Sequence, residues 1–261
     1  MKVCAAQLRP VAGDFEKNAA KHFTLIKLAV AQGADLVFFP ELSLTGYEPR
    51  LARALAVDKA DPRLDVFQQL SDRNKLTIGL GMPLSIATDV RIGMFWFAPG
   101  VPRRLYAKQQ LHVDEEPYFT PGNEQLVIET GGHILAPAIC YESLRMDHAD
   151  RAAALSAEVY LASVAKSAGG LSKAMVHYPG VAQKHRMAVI MANSVGPSDN
   201  FLSVGRSAAW NPRGELLAQM DDASEGLVVL DIASGEAQVH GLGGPSRLTG
   251  TARPVILPIN L

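Results

Sequence analysis

Three apolar runs in this chain stop at a reactive side chain. "ADLVFFP" gives way to Glu41, "RRLYA" to Lys108 and "HILAPAI" to Cys140. In α/β sheets, ligands sit in the crevice beyond the carboxyl ends of the strands. If the three runs are neighbouring strands, a carboxylate, an ammonium and a thiol converge there. That set has a chemistry. Cys140 precedes an expected helix start, so the helix dipole and Lys108 would favour its thiolate. Glu41 would take the thiol proton and later activate water, provided burial raises its pKa towards neutrality. Lys108 would hold the oxyanion of a tetrahedral intermediate, with the backbone N–H of Tyr141 as second donor. Taken singly, each residue has a plainer reading. A lone cysteine at a strand end is more often core, Glu41 could cap a turn, and Lys108 could be a surface lysine.

The elements that must position these residues alternate at first. "KVCAAQL" reads as a buried strand. "DFEKNAAKHFTLIKLAVAQG" reads as a helix, with Asp14 as N-cap and Gly33 at its C-terminal end. "ADLVFFP" is a second strand, and "DPRLDVFQQLSDRNK" a second helix with Asp61 as cap and Pro62 in its first turn. Strand-like runs then dominate. "LTIGLGMPL", "GMFWFAPG" and "VPRRLYAK" are separated by Gly/Pro turns, and "QLVIET" pairs with "HILAPAIC" around Gly131 and Gly132. "SLRMDHADRAAALSA" is a helix and "EVYLASV" a strand. Residues 173–187 are expected to be helical but broken near Pro179. "AVIMANSVG", a hairpin turning at "NPRG" and "GLVVLDI" close the series. About a dozen strands and four main helices form one mixed α/β domain over residues 1–240. So many strands call for two packed sheets with helices outside. The Gly/Pro-rich stretch 241–261 is expected to be an extended tail.

Composition narrows the partners. The 261 residues are 48% hydrophobic with a formal net charge of −1. That gives no electrostatic footprint for nucleic acid and no polybasic face for anionic lipid. No apolar run approaches the ~18–20 residues of a membrane helix. The opening "MKVCAAQLRP" has only a short apolar stretch, interrupted by Gln7 and Arg9. The expectation is a cytoplasmic protein with two free thiols, Cys4 and Cys140. No CxxC pair or HExxH motif supports a metal, and "GLGMP" and "GGLSK" lack phosphate-loop spacing, so no cofactor is expected. The histidines are scattered. His112 reads as a hydrogen-bonded loop residue near the site, and His177 as a candidate pocket residue. Trp96 and Trp210 read as core.

Three segments carry a resemblance. "PELSLTGY" (40–47), "YAKQQL" (106–111) and "AICYES" (138–143) are similar, in content and order, to the signature segments of the nitrilase superfamily of carbon–nitrogen hydrolases. "VCAAQLRP", "GDFEKN", "IGLGMP", "ANSVG" and "GRSAAWNPRGELL" extend the likeness over about residues 1–232. The resemblance implies a four-layer α-β-β-α sandwich, pairing of two copies through their helical faces or a larger homo-oligomer, and a thioester mechanism on Cys140 with Glu41 as base and Lys108 as oxyanion stabiliser. It further implies a second glutamate, Glu115 in "DEEPYFTPG", orienting Lys108 and the substrate amide. Tyr47, Tyr141 and His177 are expected to contribute to substrate binding or the oxyanion site. Pro117 stands where the family often has Arg, and "SLRMDHA" lacks the Arg-Phe-Pro pattern frequent in its amidases. Tyr141-Glu142 resembles the amidase, carbamoylase and acyltransferase branches more than the nitrilases. A small amide, of the kind an ω-amidase takes, is the expected substrate. N-carbamoyl compounds, nitriles, acyl transfer, a glutaminase serving a synthetase and an inactive scaffold are the alternatives.

Overall fold

A computed structural model describes residues 1–243. Among these residues the chain runs β1 (Lys2–Gln7), α1 (Phe15–Ala31), β2 (Leu36–Phe38), α2 (Ala52–Leu55), α3 (Asp65–Asn74), β3 (Thr77–Ile86), β4 (Asp89–Phe97), β5 (Arg104–Ala107), β6 (Ile128–Thr130) and β7 (His133–Ile139). It continues with α4 (Met146–Ala154), β8 (Val159–Val164), α5 (Ala168–His185), β9 (Ala188–Asn193), β10 (Val195–Ser198), β11 (Phe201–Val204), β12 (Ala208–Trp210), β13 (Leu216–Gln219), β14 (Gly226–Asp231) and β15 (Glu236–Gly241). The tail expected over 241–261 lies outside the described residues beyond Gly243.

Two mixed sheets organise the strands. The first has the order β15-β14-β1-β2-β3-β4-β5, and the second β13-β12-β9-β8-β7-β6. β10 and β11 form a separate two-stranded ribbon. Strand alternation assigns the layers. Val3 and Ala5 of β1 join Leu161 of β8 and Ile190 of β9 in the core between the sheets. The intervening Cys4 and Ala6 face the other way, against Leu25 and Ile26 of α1 and Phe67 of α3. On the second sheet, Tyr160 and Ala162 point outward against Ala149 of α4 and Tyr178 of α5. Both faces of each sheet are therefore buried, because a period of two sends successive side chains to opposite layers. Each fully buried large aliphatic side chain contributes about 1.5–3 kcal/mol relative to exposure. The result is the expected α-β-β-α sandwich.

Local signals account for most element ends. Asp14 caps α1 by accepting from the Lys17 N–H, and Gly33 turns the chain at φ +70°. Asp61 accepts from the Arg63 N–H, and one 3₁₀ turn over Pro62–Leu64 leads into α3. Ile128 pairs with Leu135 in the hairpin around Gly131 and Gly132. Ala208 pairs with Gln219 in the hairpin closed by "NPRG". Trp96 and Trp210 are core residues of the two sheets.

Three expectations need correction. α5 begins at Ala168 and runs through Pro179 without a break. A proline removes one helical hydrogen bond, but Tyr178, Val181 and Ala182 are completely buried around it, and tertiary packing outweighs the local penalty. The run "AVIMANSVG" is divided at Ser194 between β9 and the β10–β11 ribbon. β15, absent from the sequence reading, is a partly exposed edge strand: "EAQVHG" alternates, but only Ala237 and Val239 are apolar, and these two pack against the core. No described helix is long and apolar enough to cross a membrane.

Candidate active site

The three apolar runs do not lie side by side. β2 and β5 belong to the first sheet with β3 and β4 between them, and β7 belongs to the second. β2 and β3 are parallel, while β3, β4 and β5 are successively antiparallel, so β2 and β5 deliver their carboxyl ends to the same edge. Glu41, Lys108 and Cys140 then meet across the sandwich interface.

Glu41 sits on a tight turn after β2. The Phe39 N–H donates to Gly79 O, the Leu44 N–H donates to Gly81 O, and Leu42 adopts φ +51°. The turn passes so close to β3 that a Cβ at Gly81 would lie 2.5 Å from Pro40 O and from Leu42 N. Only glycine fits there. Behind the turn, the buried His22 ring contacts Ser43 Oγ at 2.9 Å.

Lys108 follows β5, its N–H bonded to Ile92 O. Its ammonium is fully buried and donates to Glu41 Oε1 at 2.8 Å and to Glu115 Oε1 at 2.6 Å. An ammonium has three N–H donors, so one remains for a substrate oxygen. Glu115 is held in turn by the Tyr47 hydroxyl at 2.9 Å and by the His112 N–H at 2.8 Å. The Tyr47 proton is thus committed to Glu115.

Cys140 ends β7 in the left-handed region, at φ +46°. That conformation disfavours any residue with a Cβ and recurs where a nucleophile must project from a sharp turn. The turn is over-determined. The Cys140 N–H donates to Ser163 O, and Cys140 O accepts from Ser143 Oγ at 2.5 Å. Ser163 Oγ also donates to Phe39 O at 2.8 Å, so this one residue of β8 ties the Cys140 arm to the Glu41 arm. Glu142 does the same for the Lys108 arm. Its Oε1 accepts from the Tyr106 hydroxyl and the Ile139 N–H, and its Oε2 from the Gln109 and Gln110 N–H groups. Among the described residues no group accepts from the Tyr141 N–H.

Electrostatics separates the roles. Burial pushes the Glu41 carboxyl up to about 7, the Lys108 charge pulls it back, and the Glu115 charge raises it again. Its Oε2 is buried without a hydrogen-bond partner, while Oε1 is held by Lys108. Burial would lower the Lys108 pKa, but Glu41 and Glu115 outweigh it and keep the ammonium charged. Burial and then the Glu41 charge push the Cys140 thiol up to about 11, against the pull of Lys166 and Lys108. The expected depression of the thiol pKa is therefore not found. Cys140 is followed by a single 3₁₀ turn, Glu142–Leu144, rather than by an α-helix N-terminus. The resting site holds a thiol beside a carboxyl raised towards neutrality. The barrier to moving that proton is lowered by the move itself, because proton uptake cancels the Glu41 charge that opposes the thiolate.

The structure brings together Glu41, Lys108, Glu115, Cys140 and Tyr47, with Tyr141 next in the chain. The Tyr141 ring packs edge-on against His112, their centroids 5.3 Å apart. His177 lies half-buried on α5 with Nε2 unpartnered. Sequence reasoning missed Ser163, the anchoring role of Glu142, and Lys166, whose Nζ stands 3.9 Å from Cys140 Sγ. Lys166 carried the same signal as the others, since "VYLASVAK" is a fourth apolar run ending in an ionisable side chain. Among the described residues no cluster of His, Cys, Asp and Glu could hold a metal ion.

Comparison with known proteins gives the family. Residues 2–239 match the carbon–nitrogen hydrolase family model. A glutamine-dependent NAD(+) synthetase of Thermotoga maritima is 27% identical over 259 residues, covering 95% of this chain and 44% of the synthetase. The chain thus spans less than half the length of that relative. A nitrilase of Pyrococcus abyssi is 27% identical over 241 residues, covering 89% of each protein. Among solved structures, a cysteine-to-alanine mutant of an amidase from Nesterenkonia sp. AN1, in complex with butyramide, superposes with a TM-score of 0.82 at 22% identity, covering 90% of this chain and 92% of that one. The chain belongs to the carbon–nitrogen hydrolase family of the nitrilase superfamily.

Proposed function

We propose that this protein hydrolyses the carbon–nitrogen bond of a small linear amide through a thioester on Cys140. The observation that carries the reading is the unpartnered Glu41 Oε2 facing the partly buried Cys140 thiol, with Lys108 fixed on the other oxygen of the same carboxylate. Cys140 Sγ attacks the amide carbon as its proton passes to Glu41 Oε2. The developing oxyanion accepts from the third Lys108 N–H and from the Tyr141 N–H. Glu41 then returns the proton to the nitrogen, the C–N bond breaks, and ammonia or an amine leaves. Water attacks the thioester, giving one proton to Glu41, and that proton reprotonates the departing Cys140 sulfur. Glu115, held by Tyr47, keeps Lys108 in place. No cofactor enters these steps.

A second reading has a specific observation in its favour. The likeness to a glutamine-dependent synthetase runs over 95% of this chain, which fits a glutaminase delivering ammonia to a synthetase partner. One panel tests both: ammonia release from butyramide, glutamine, an N-carbamoyl amino acid and butyronitrile. The first reading expects turnover of amides, an acylated Cys140 in the mass spectrum with a slow substrate, and neither with Cys140→Ala. A dominant preference for glutamine would select the second, and full turnover by Cys140→Ala would refute both.

A further inference from the structure

α4 contributes a buried histidine whose two ring nitrogens both meet tyrosine hydroxyls. His148 sets Nδ1 2.7 Å from the Tyr160 hydroxyl of β8 and Nε2 2.9 Å from the Tyr106 hydroxyl of β5. The Tyr106 hydroxyl is also 2.6 Å from Glu142 Oε1 and accepts from Gln109 Nε2 at 3.0 Å. All four side chains of this chain, Tyr160, His148, Tyr106 and Glu142, are at most 2% exposed. Each hydroxyl carries one proton, and a neutral imidazole carries one. Burial and the Arg151 charge push the His148 pKa down to about 4, so the ring is neutral at neutral pH. Two proton orders fit such a chain. In the first, Tyr160 O–H donates to Nδ1, Nε2–H donates to Tyr106 O, and Tyr106 O–H donates to an ionised Glu142. Every proton then has an acceptor. In the second, a protonated Glu142 donates to Tyr106, Tyr106 donates to Nε2, and Nδ1–H donates to Tyr160. The Tyr160 proton is then left without an acceptor among the described residues, and an unmet buried donor is costly. The first order is therefore the stable one.

We infer that His148, as the Nε2–H tautomer, is a positioning residue for the thiol site: it aims the Tyr106 hydroxyl at Glu142 and holds that carboxylate ionised. The inference rests on the amidase reading above and adds a residue to it. Burial raises the Glu142 pKa, and the Tyr106 hydroxyl with the Ile139 and Gln109 N–H groups pulls it back. Ile139 and Gln109 are the neighbours of Cys140 and Lys108, so an ionised Glu142 ties both arms of the site together. With the Gln110 N–H, the four acceptor positions of the carboxylate are filled. His148 touches no reacting atom. Among the described residues its polar partners are the two tyrosines and, at 3.7 Å, Glu142 Oε1. Its effect passes through the alignment of the two arms and falls on kcat rather than KM.

Two measurements test the assignment. The first needs neither a variant nor turnover. It is a long-range ¹H–¹⁵N correlation spectrum of the histidine-labelled wild type, with His148 assigned through its contact with the Tyr160 ring, 5.7 Å between centroids. His148 should be neutral, with Nε2 protonated and Nδ1 bare, from about pH 6 to about pH 8. A ring protonated at Nδ1, or charged, over that range would refute the proton order. The second compares His148→Leu with His148→Gln, whose side-chain NH₂ can still donate to Tyr106. Both lose the Tyr160 contact and should melt lower together. His148→Leu should lower kcat on butyramide at least about tenfold with little change in KM. His148→Gln should recover at least about threefold of that loss. The rate of Cys140 alkylation by iodoacetamide should follow the same ranking. Equal losses in the two variants, or none in His148→Leu, would reduce His148 to core packing and overturn the inference. Where a variant does not fold, the spectrum decides alone. If the wild type hydrolyses no amide, the amidase reading fails, while the tautomer and the alkylation rates still decide on His148.

Discussion

Replacing Glu115 by Gln removes one of the two negative charges that share the Lys108 ammonium. The two acceptor oxygens lie 2.8 and 2.6 Å from the same nitrogen, hence no more than about 5.4 Å from each other. Like charges at that separation repel by about 3 kcal/mol at an effective dielectric constant of about 20, equivalent to roughly two pKa units. Glu41 stands at about 7 with Glu115 ionised. In Glu115→Gln its pKa should fall to roughly 5, helped by a Lys108 charge no longer divided between two carboxylates. The sign for activity follows from the role of base. Glu41 must be ionised to act, so wild-type kcat/KM should fall about tenfold per pH unit below 7. The variant should hold its plateau about two units further into acid, although the plateau itself drops by up to about a hundredfold as Lys108 loses a fixed partner. The assay is kcat/KM on butyramide between pH 4.5 and 9, with the rate of Cys140 alkylation by iodoacetamide as a second profile that survives low turnover. An acid limb that stays put or moves upward in Glu115→Gln would refute the electrostatic account. A limb that persists in Glu41→Gln would remove Glu41 as its source.

Two further substitutions probe the scaffold. Gly81→Ala places a methyl 2.5 Å from two backbone atoms of the Glu41 turn, which cannot rotate away. It should destabilise by about 1–3 kcal/mol and cut turnover more than stability alone explains, read by calorimetric melting alongside kcat. Glu142→Gln sets an NH₂ group against donors that now meet a carboxylate oxygen on each side. A cost of about 2 kcal/mol and a matching loss of activity are expected in denaturant titration, and an unchanged midpoint with full activity would rule out the anchoring role.

Much of this was legible in the chain because local physics writes it there. The Asp14 cap, the Gly33 stop, the "NPRG" hairpin and the reactive ends of "ADLVFFP", "RRLYA" and "HILAPAI" depend on residues close in sequence. Sheet membership does not. Nothing in "RRLYA" states that β5 is an edge strand with two strands between it and β2, or that β7 lies in the other sheet. The thiol pKa was misjudged for the same reason. It is set by burial and by Glu41, a residue 99 positions away, and not by the local turn. Lys166 was overlooked because its neighbours "SAGG" gave it the look of a loop, whereas its burial comes from packing against α5.

The site straddles the seam between two sheets. Its base and its ammonium hang from one slab and its thiol from the other, with Ser163 as a rivet through both. Sliding one slab past the other by the rise of a single residue, about 3.3 Å, would leave each sheet intact and still part the thiol from its base. Turnover therefore reports the alignment of the two slabs. Substitutions at seam residues such as Ile190 or Val228 should therefore lower turnover through that alignment as well as through stability.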